Sequence, residues 1–361
     1  MTNKQINLLV DILKMIIIIA IACALVSGIV LLVSDVPEDA IWSFFIGPFT
    51  SIRRIGNIIE SATPLMFTAL AVTIIFRSGQ FSMIAEGAFF VGGCGAMIAG
   101  IGWNLPPVIH PIATILFGAA LGAVAAGIPA ILKMLWGVSE LVTSLMLNYV
   151  CLYFSLYMLN YHYRDTATTA FQSYPVKETA ILPVLIPGTS IHLGGLLALL
   201  LCVVVWFFLF RSCQGYKLRV TGDNIRFAQY VGIGATTILF AAQILAGAIA
   251  GAGGAVELLG MYSRFKWTTL PGYGWTGIVV CLLGRRNPLL IPLSACFIGY
   301  LNVGASIMNR SSDVSADMVM IIQAVIMLLV AADALLHSLR QRMIVKSAET
   351  EAIAANQHAK G

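Results

Sequence analysis

Apolar runs about as long as a bilayer's hydrocarbon core is thick recur from residue 15 to residue 338, separated by short polar connections. A run of roughly 20 such residues satisfies its own backbone hydrogen bonds only as a helix, and as a helix it crosses about 30 Å. The runs fall at 15–33, 60–76, 82–101, 112–132, 140–159, 191–210, 234–257, 274–284, 289–308 and 318–338, the eighth being short. Charged residues make up 10% of the chain and hydrophobic residues 59%, with a mean hydropathy of +0.91. A water-facing domain carries about 25% charged residues. The expected fold is therefore an all-α polytopic membrane protein of about ten transmembrane helices over residues 1–345, with a polar cytoplasmic tail at 346–361. The 15–33 run is long for a signal-peptide core and lacks a clear A-x-A cleavage site, so it reads as the first span.

Ten spans put both termini on one side, and the basic residues say which. Lys4, Lys14, Arg77, Lys133, the 211–226 cluster, Arg285, Arg286 and the C-terminal Arg340, Arg342, Lys346 and Lys360 fall on the side of the termini. About half as many lie opposite, among many of the acids, so the termini are expected in the cytoplasm. Five spans in each half would then run in opposite senses, compatible with an inverted repeat. Gly118-x-x-x-Gly122 and Gly247-x-x-x-Gly251 place small residues on one helix face, where backbones can approach closely. The outer segments 34–59, 160–190 and 258–273 are candidates for a surface that docks an external protein.

The polar stretch with a dense basic bias between apolar spans is RSCQGYKLRVTGDNIRFAQYVGI, residues 211–233, in which Arg211, Lys217, Arg219 and Arg226 accompany the single acid Asp223. Its charge makes it a cytoplasmic loop. Asp223 or Asn224 can cap a short helix starting near Ile225, and Gly232 can end it in a left-handed conformation. Phe227 with Tyr230 or Val231 gives that helix an apolar face. A short capped helix offered to the cytoplasm suits the docking of a soluble partner.

Ionisable or amide groups at membrane depth are candidates for a solute path. Glu86 stands between Gly79 and Gly87 near the start of a span that these glycines can break; it either faces a pathway or gate, or braces neighbouring backbone. Asn148 and Gln323 lie mid-span and bond either a substrate or another helix. Tyr273 and Trp275, in PGYGWTG, either stack on a sugar or base ring or sit as interfacial aromatics. Glu140 reads as an N-terminal acid favoured by its helix dipole. Cysteines are scattered without a C-x-x-C pair and histidines are never three or four apart, so no metal site is visible. Neither a phosphate-binding G-x-x-x-x-G-K-[ST] loop nor G-x-S-x-G occurs. Such a chain cannot hydrolyse ATP through a P-loop.

Several runs, in order, resemble the permease subunits of bacterial ABC importers of the branched-chain amino acid/ribose-type family, most nearly its nucleoside and simple-sugar (BmpC/YufP-like) members. They are TPLMFTALAVTIIFRSGQFSMIAEGAFFVG (63–92), ELVTSLMLNY (140–149), GYKLRVTGDNIRFAQYVGI (215–233), LAGAIAGAGGAVELLG (245–260) and GYGWTGIVVCLLGRRNPL (272–289). The resemblance implies a non-enzymatic transport subunit in the bacterial inner membrane that binds no cofactor itself. ATP and magnesium would act on a separate ATPase, beside a second, related permease chain and an extracytoplasmic binding protein that delivers a nucleoside or simple sugar. By this likeness Gly215, Arg219, Gly222, Asn224, Ala228 and Gly232 belong to the ATPase-coupling loop; Lys217, Arg226 and Phe227 join it by position. The family's usual Asn-Ile-Gly-Ala-Glu-Gly-Gln is replaced by Ser82-Met83-Ile84-Ala85-Glu86-Gly87-Ala88, which leaves the substrate open. The alternative class is a secondary transporter working alone on an ion gradient.

Overall fold

The computed structural model describes residues 36–313 and a few positions outside them. The expected spans 15–33 and 318–338, Gln323 and the 346–361 tail lie outside the described residues. Contacts divide the chain into two compact units, Ile46–Gly304 and the pair Met1–Phe45 with Ala305–Gly361. The second unit holds α1, Pro37–Phe45, and residues 305–311 at the end of the last helix.

Within Ile46–Gly304 the order is α2 (Ile52–Arg77), α3 (Ala85–Gly102), α4 (Ile109–Trp136), α5 (Glu140–Met158), α6 (Leu193–Arg211), α7 (Cys213–Asp223), α8 (Ile225–Tyr230), α9 (Ala235–Gly260) and α10 (Tyr273–Leu283). A last helix, α11, covers Ile291–Ser311. Each of the eight expected spans among the described residues coincides with a helix, and seven of these helices are long and apolar enough to cross a membrane. The eighth, α10, has 11 residues and reaches only about 16 Å. Among the described residues there is no β-strand, only isolated bridges.

Helix α9 is the hub, because its glycines let α3 and α4 approach at backbone distance and let the Phe67 side chain of α2 pack against it. A Cβ at Gly251 would stand 2.5 Å from the Gly118 carbonyl oxygen and 3.0 Å from Gly122 Cα, while one at Gly118 would stand 2.8 Å from the Gly92 carbonyl oxygen. The two G-x-x-x-G motifs therefore face one another across α4 and α9, with α3 wedged alongside. Helices α2 and α3 are almost wholly enclosed, whereas α5 and α6 turn most of their surface outward.

Between α9 and α10 the chain is not helical. Residues 261–272 run back along α3: Phe265 packs edge-on to Phe90, ring centroids 5.5 Å apart, and Trp267 lies against Phe89 at 5.8 Å. Phe265 is completely buried, whereas Met261, Ser263, Lys266, Thr268 and Thr269 are exposed. Near its start this segment is stitched to the 160–190 segment. Ser173 N donates to the Phe265 carbonyl at 3.0 Å, Phe265 N to Ser173 Oγ at 2.9 Å, and Arg264 pairs with Asp165 at 2.6 Å. The Arg264 guanidinium holds the Asp165 carboxyl below the usual carboxylate range. The two segments are thus one body.

Candidate functional site

The connection between α2 and α3, residues 78–84, leaves its backbone groups without helical partners, and α5 supplies them. Glu140, Ser144 and Asn148, four residues apart, share one buried face of that helix. Glu140 Oε1 accepts from Phe81 N at 2.9 Å, Ser144 Oγ from Met83 N at 3.0 Å, and Asn148 Oδ1 from Gly87 N at 3.0 Å. Asn148 Nδ2 also donates to the Met83 carbonyl at 3.0 Å. Ile84, at the N-cap of α3, has no side chain that can cap, so Asn148 caps the helix from outside it. Lys133 Nζ meets Glu140 Oε2 at 2.6 Å and Gln243 Nε2 donates to the same oxygen at 3.2 Å, which compensates the buried carboxylate. Glu140 thus stands in the first turn of α5, as expected, but its carboxylate secures another segment.

Glu86, in the first turn of α3, does for α10 what Asn148 does for α3. Gly272 N donates to Glu86 Oε1 at 2.7 Å and Gly274 N donates to Oε2. A carboxylate at a helix N-terminus satisfies orphan amides and matches the dipole. Gly272 has φ +81°, and a Cβ on Gly274 would meet Glu86 Oε2 at 2.7 Å, so both glycines are needed for this approach. These two hydrogen bonds are the geometry that the brace reading of Glu86 expects. Side chains of α5 occupy the amides of Phe81 and Met83 in the break before α3, and the helix starts at Ala85 rather than at 82. The Asn148 amide is likewise engaged at both ends by backbone.

Replacing Asn148 by alanine leaves a buried N–H and a buried carbonyl without their partner. The expected cost is roughly 3 kcal/mol, read as a melting temperature about 6–10 °C lower in detergent. An unchanged melt would show that the brace contributes nothing.

The expected aromatic pair divides. Tyr273 is half-buried, its carbonyl accepting from Thr68 Oγ1 at 2.9 Å and its ring 5.1 Å from that of Phe89, whereas Trp275 is exposed. Beside Tyr273 lies a group that sequence reasoning left aside. The carboxyl of Glu257, buried on α9, neighbours those of Glu60 on α2 and the hydroxyl of Tyr273. Its Oε2 has no hydrogen-bond partner among the described residues. Because that oxygen is buried and unbonded, Glu257→Met, which removes it at similar volume, is expected to raise the melting temperature by a few degrees, equivalent to about 1 kcal/mol. A lower melt would mean that the carboxylate holds the fold.

The 211–233 stretch forms two helices. Ser212 Oγ caps α7 by accepting from Gly215 N at 3.0 Å, and Asn224 Oδ1 caps α8 by accepting from Phe227 N at 3.0 Å. Gly232, at φ +80°, turns the chain out of α8, as its position predicts. Gly215 and Ala228 are buried; Lys217, Arg219 and Gly222 are half-buried; Asn224, Arg226 and Phe227 are exposed. Arg219 stacks over Phe210 at 5.1 Å, and Arg77 lies over the same ring at 5.4 Å. Arg77 Nε also donates to the Arg286 carbonyl at 3.0 Å, so these arginines pack the end of the bundle as well as marking its side. Gly222 touches Gly79, whose Cβ would meet the Gly222 carbonyl oxygen at 2.7 Å. The exposed α8 thus connects, through α7, to the segment gripped by α5. Among the described residues no cluster of side chains could hold a metal ion.

The family profile described as "Branched-chain amino acid transport system / permease component" matches residues 54–331. The guanosine ABC transporter permease protein of Bacillus subtilis is 32% identical over 87% of this chain and 92% of its own length. A glucose ABC transporter permease protein of Haloferax volcanii is 31% identical over 85% of this chain and 84% of its own. A nucleoside ABC transporter permease protein of Lactococcus lactis is 26% identical over 92% of each.

Proposed function

Because the chain belongs to the permease family of the branched-chain amino acid transport system, we propose that it forms half of the solute path of an importer for nucleosides, driven by ATP hydrolysis on a separate chain. As an ABC transporter permease it is a multi-pass transport subunit, and its family works with an ABC ATPase and a substrate-binding protein. Two of the three relatives above are named for guanosine or nucleosides and one for glucose. The nucleoside reading follows the relative of highest identity among them.

The observation that carries the reading is α8: a short helix, capped at one end and turned out by glycine at the other, with Ile225, Phe227, Tyr230 and Val231 exposed on a basic loop. Positive charge assigns this loop to the cytoplasm. An exposed apolar anchor beside Arg226 is the chemistry that a groove on a soluble ATPase would receive. Substrate binding alone shifts no equilibrium unless affinity differs between the two states, so the work must enter mechanically. In this reading ATP closes the ATPases, α8 moves, and Gly222 against Gly79 passes the displacement to residues 78–84 and so to α5. A second permease chain, related but not identical, completes the path in the bacterial inner membrane. An extracytoplasmic binding protein delivers solute to the surface made by the joined 160–190 and 258–273 segments.

The test is reconstitution of this chain with its co-purifying ATPase, second permease and binding protein in liposomes. Radiolabelled guanosine should enter only with ATP on the side of the membrane that bears the ATPase. Uptake by this chain alone, driven by an ion gradient without ATP, would overturn the reading in favour of a secondary transporter.

A further inference from the structure

Opposite the brace, α5 shows a face that no role above uses. Tyr149, Tyr153 and Tyr157 follow at four-residue steps, and Tyr161 continues the series in the π-helical turn Leu159–Tyr163. All are exposed, by 59%, 67%, 51% and 72%. Four residues of helix rise about 6 Å, so the hydroxyphenyl groups form a ladder of about 12 Å from Tyr149, midway along α5, to Tyr157 near its end, which Tyr161 prolongs. The rings of Tyr157 and Tyr161 lie 5.0 Å apart. Helix α6 shows what a lipid-facing surface looks like in this protein: its exposed side chains include Leu196, Leu199, Leu200, Val203, Val204 and Phe207. Tyrosine belongs at the two membrane interfaces, where its hydroxyl finds water. At mid-depth in hydrocarbon that hydroxyl has no partner, at a cost that leucine avoids. This face therefore does not look into lipid.

We propose that the tyrosine ladder of α5 is the wall along which the planar base of a nucleoside moves across the membrane, one stacking station per turn. Static packing between membrane helices uses small residues, as α4 and α9 do here. A moving solute instead needs weak, repeated contacts. An aromatic face offers these to any base, because every base has a π-face, and the tyrosine hydroxyls meet the base edges and sugar hydroxyls. The opposite face of the same helix grips residues 78–84 through Glu140, Ser144 and Asn148, so whatever moves that segment moves the ladder. The proposal rests on the nucleoside-importer reading.

The experiment compares Tyr149, Tyr153 and Tyr157 all changed to Phe with all three changed to Leu, in the reconstituted complex with radiolabelled guanosine. The Leu triple is expected to assemble with its partners and lose ATP-dependent uptake about tenfold or more. The Phe triple, which keeps the rings, should stay within about threefold of the unmodified complex. Leu variants that transport normally would overturn the ladder, as would Phe variants as defective as Leu. A Leu triple that no longer holds the second permease would assign the face to a chain–chain interface instead. If the triple does not accumulate, Tyr153→Leu alone reads the same loss, and normal uptake by it overturns the proposal. An unmodified complex that takes up no nucleoside sinks the function itself, which separates that failure from failure of the ladder.

Discussion

Gly251→Leu is expected to abolish accumulation of the protein in the membrane. The glycine Cα lies against the backbone of Gly122, so even a first side-chain carbon would stand 3.0 Å from that Cα and 2.5 Å from the Gly118 carbonyl oxygen. Backbone cannot rotate aside as a side chain can, and α9 would have to separate from α4. Overpacking where side chains can adjust costs about 1–3 kcal/mol. Here three helices would have to part, so a loss above that range is expected, a large share of the 5–15 kcal/mol that typically holds a domain. Gly127→Ala on α4 is the control: its Cβ would meet nothing closer than Ile244 Cγ1 at 3.9 Å. Membrane-fraction abundance and thermal melting in detergent read both. A Gly251→Leu protein that accumulates and melts like the unmodified one would refute the packing account.

The second large effect concerns coupling. Arg226→Glu combined with Phe227→Asp should leave folding intact, because both side chains are exposed and neither is the cap of α8. ATPase binding should weaken at least about 30-fold, the effect of losing one buried interface anchor, and ATP-driven uptake should fall with it. Arg219 would be a poor substitute for either position. Its guanidinium lies over Phe210 beside Arg77, so reversing its charge would disturb the bundle and confuse a coupling defect with a folding one. Normal uptake by the double variant at normal membrane levels would remove α8 from the coupling pathway.

Much of this was legible in the sequence because local periodicity governs it. Eight expected spans lie on helices, the cap at Asn224 and the turn at Gly232 follow from residue type, and the two G-x-x-x-G motifs do meet. What could not be read are pairings between residues far apart in the chain. Glu86 with Gly272 and Gly274, and Asn148 with Gly87 and Met83, are helix caps supplied by other helices, and a cap motif is recognisable only when it is local. The same limit hid the packing of residues 261–272, where Phe265 and Trp267 lie against Phe90 and Phe89 of α3 while Met261, Ser263, Lys266, Thr268 and Thr269 stay exposed. The tyrosine ladder did have a local signal, the four-residue spacing in NYVCLYFSLYMLNY, which is diluted by the phenylalanine and leucines between its rungs.

The brevity of α10 bears on how the protein is made. A segment of 11 apolar residues bounded by Arg285 and Arg286 is too short to partition into a bilayer by itself. Its N-terminal amides are satisfied by Glu86 and its flank by Thr68 and Thr73, all on helices synthesised some 200 residues earlier. Those helices must already stand in the membrane, correctly oriented, when α10 leaves the ribosome. The insertion of this late segment is therefore expected to be templated by early ones. Substitutions at Glu86 would then act first on the yield of complete chains in the membrane, before any solute is moved.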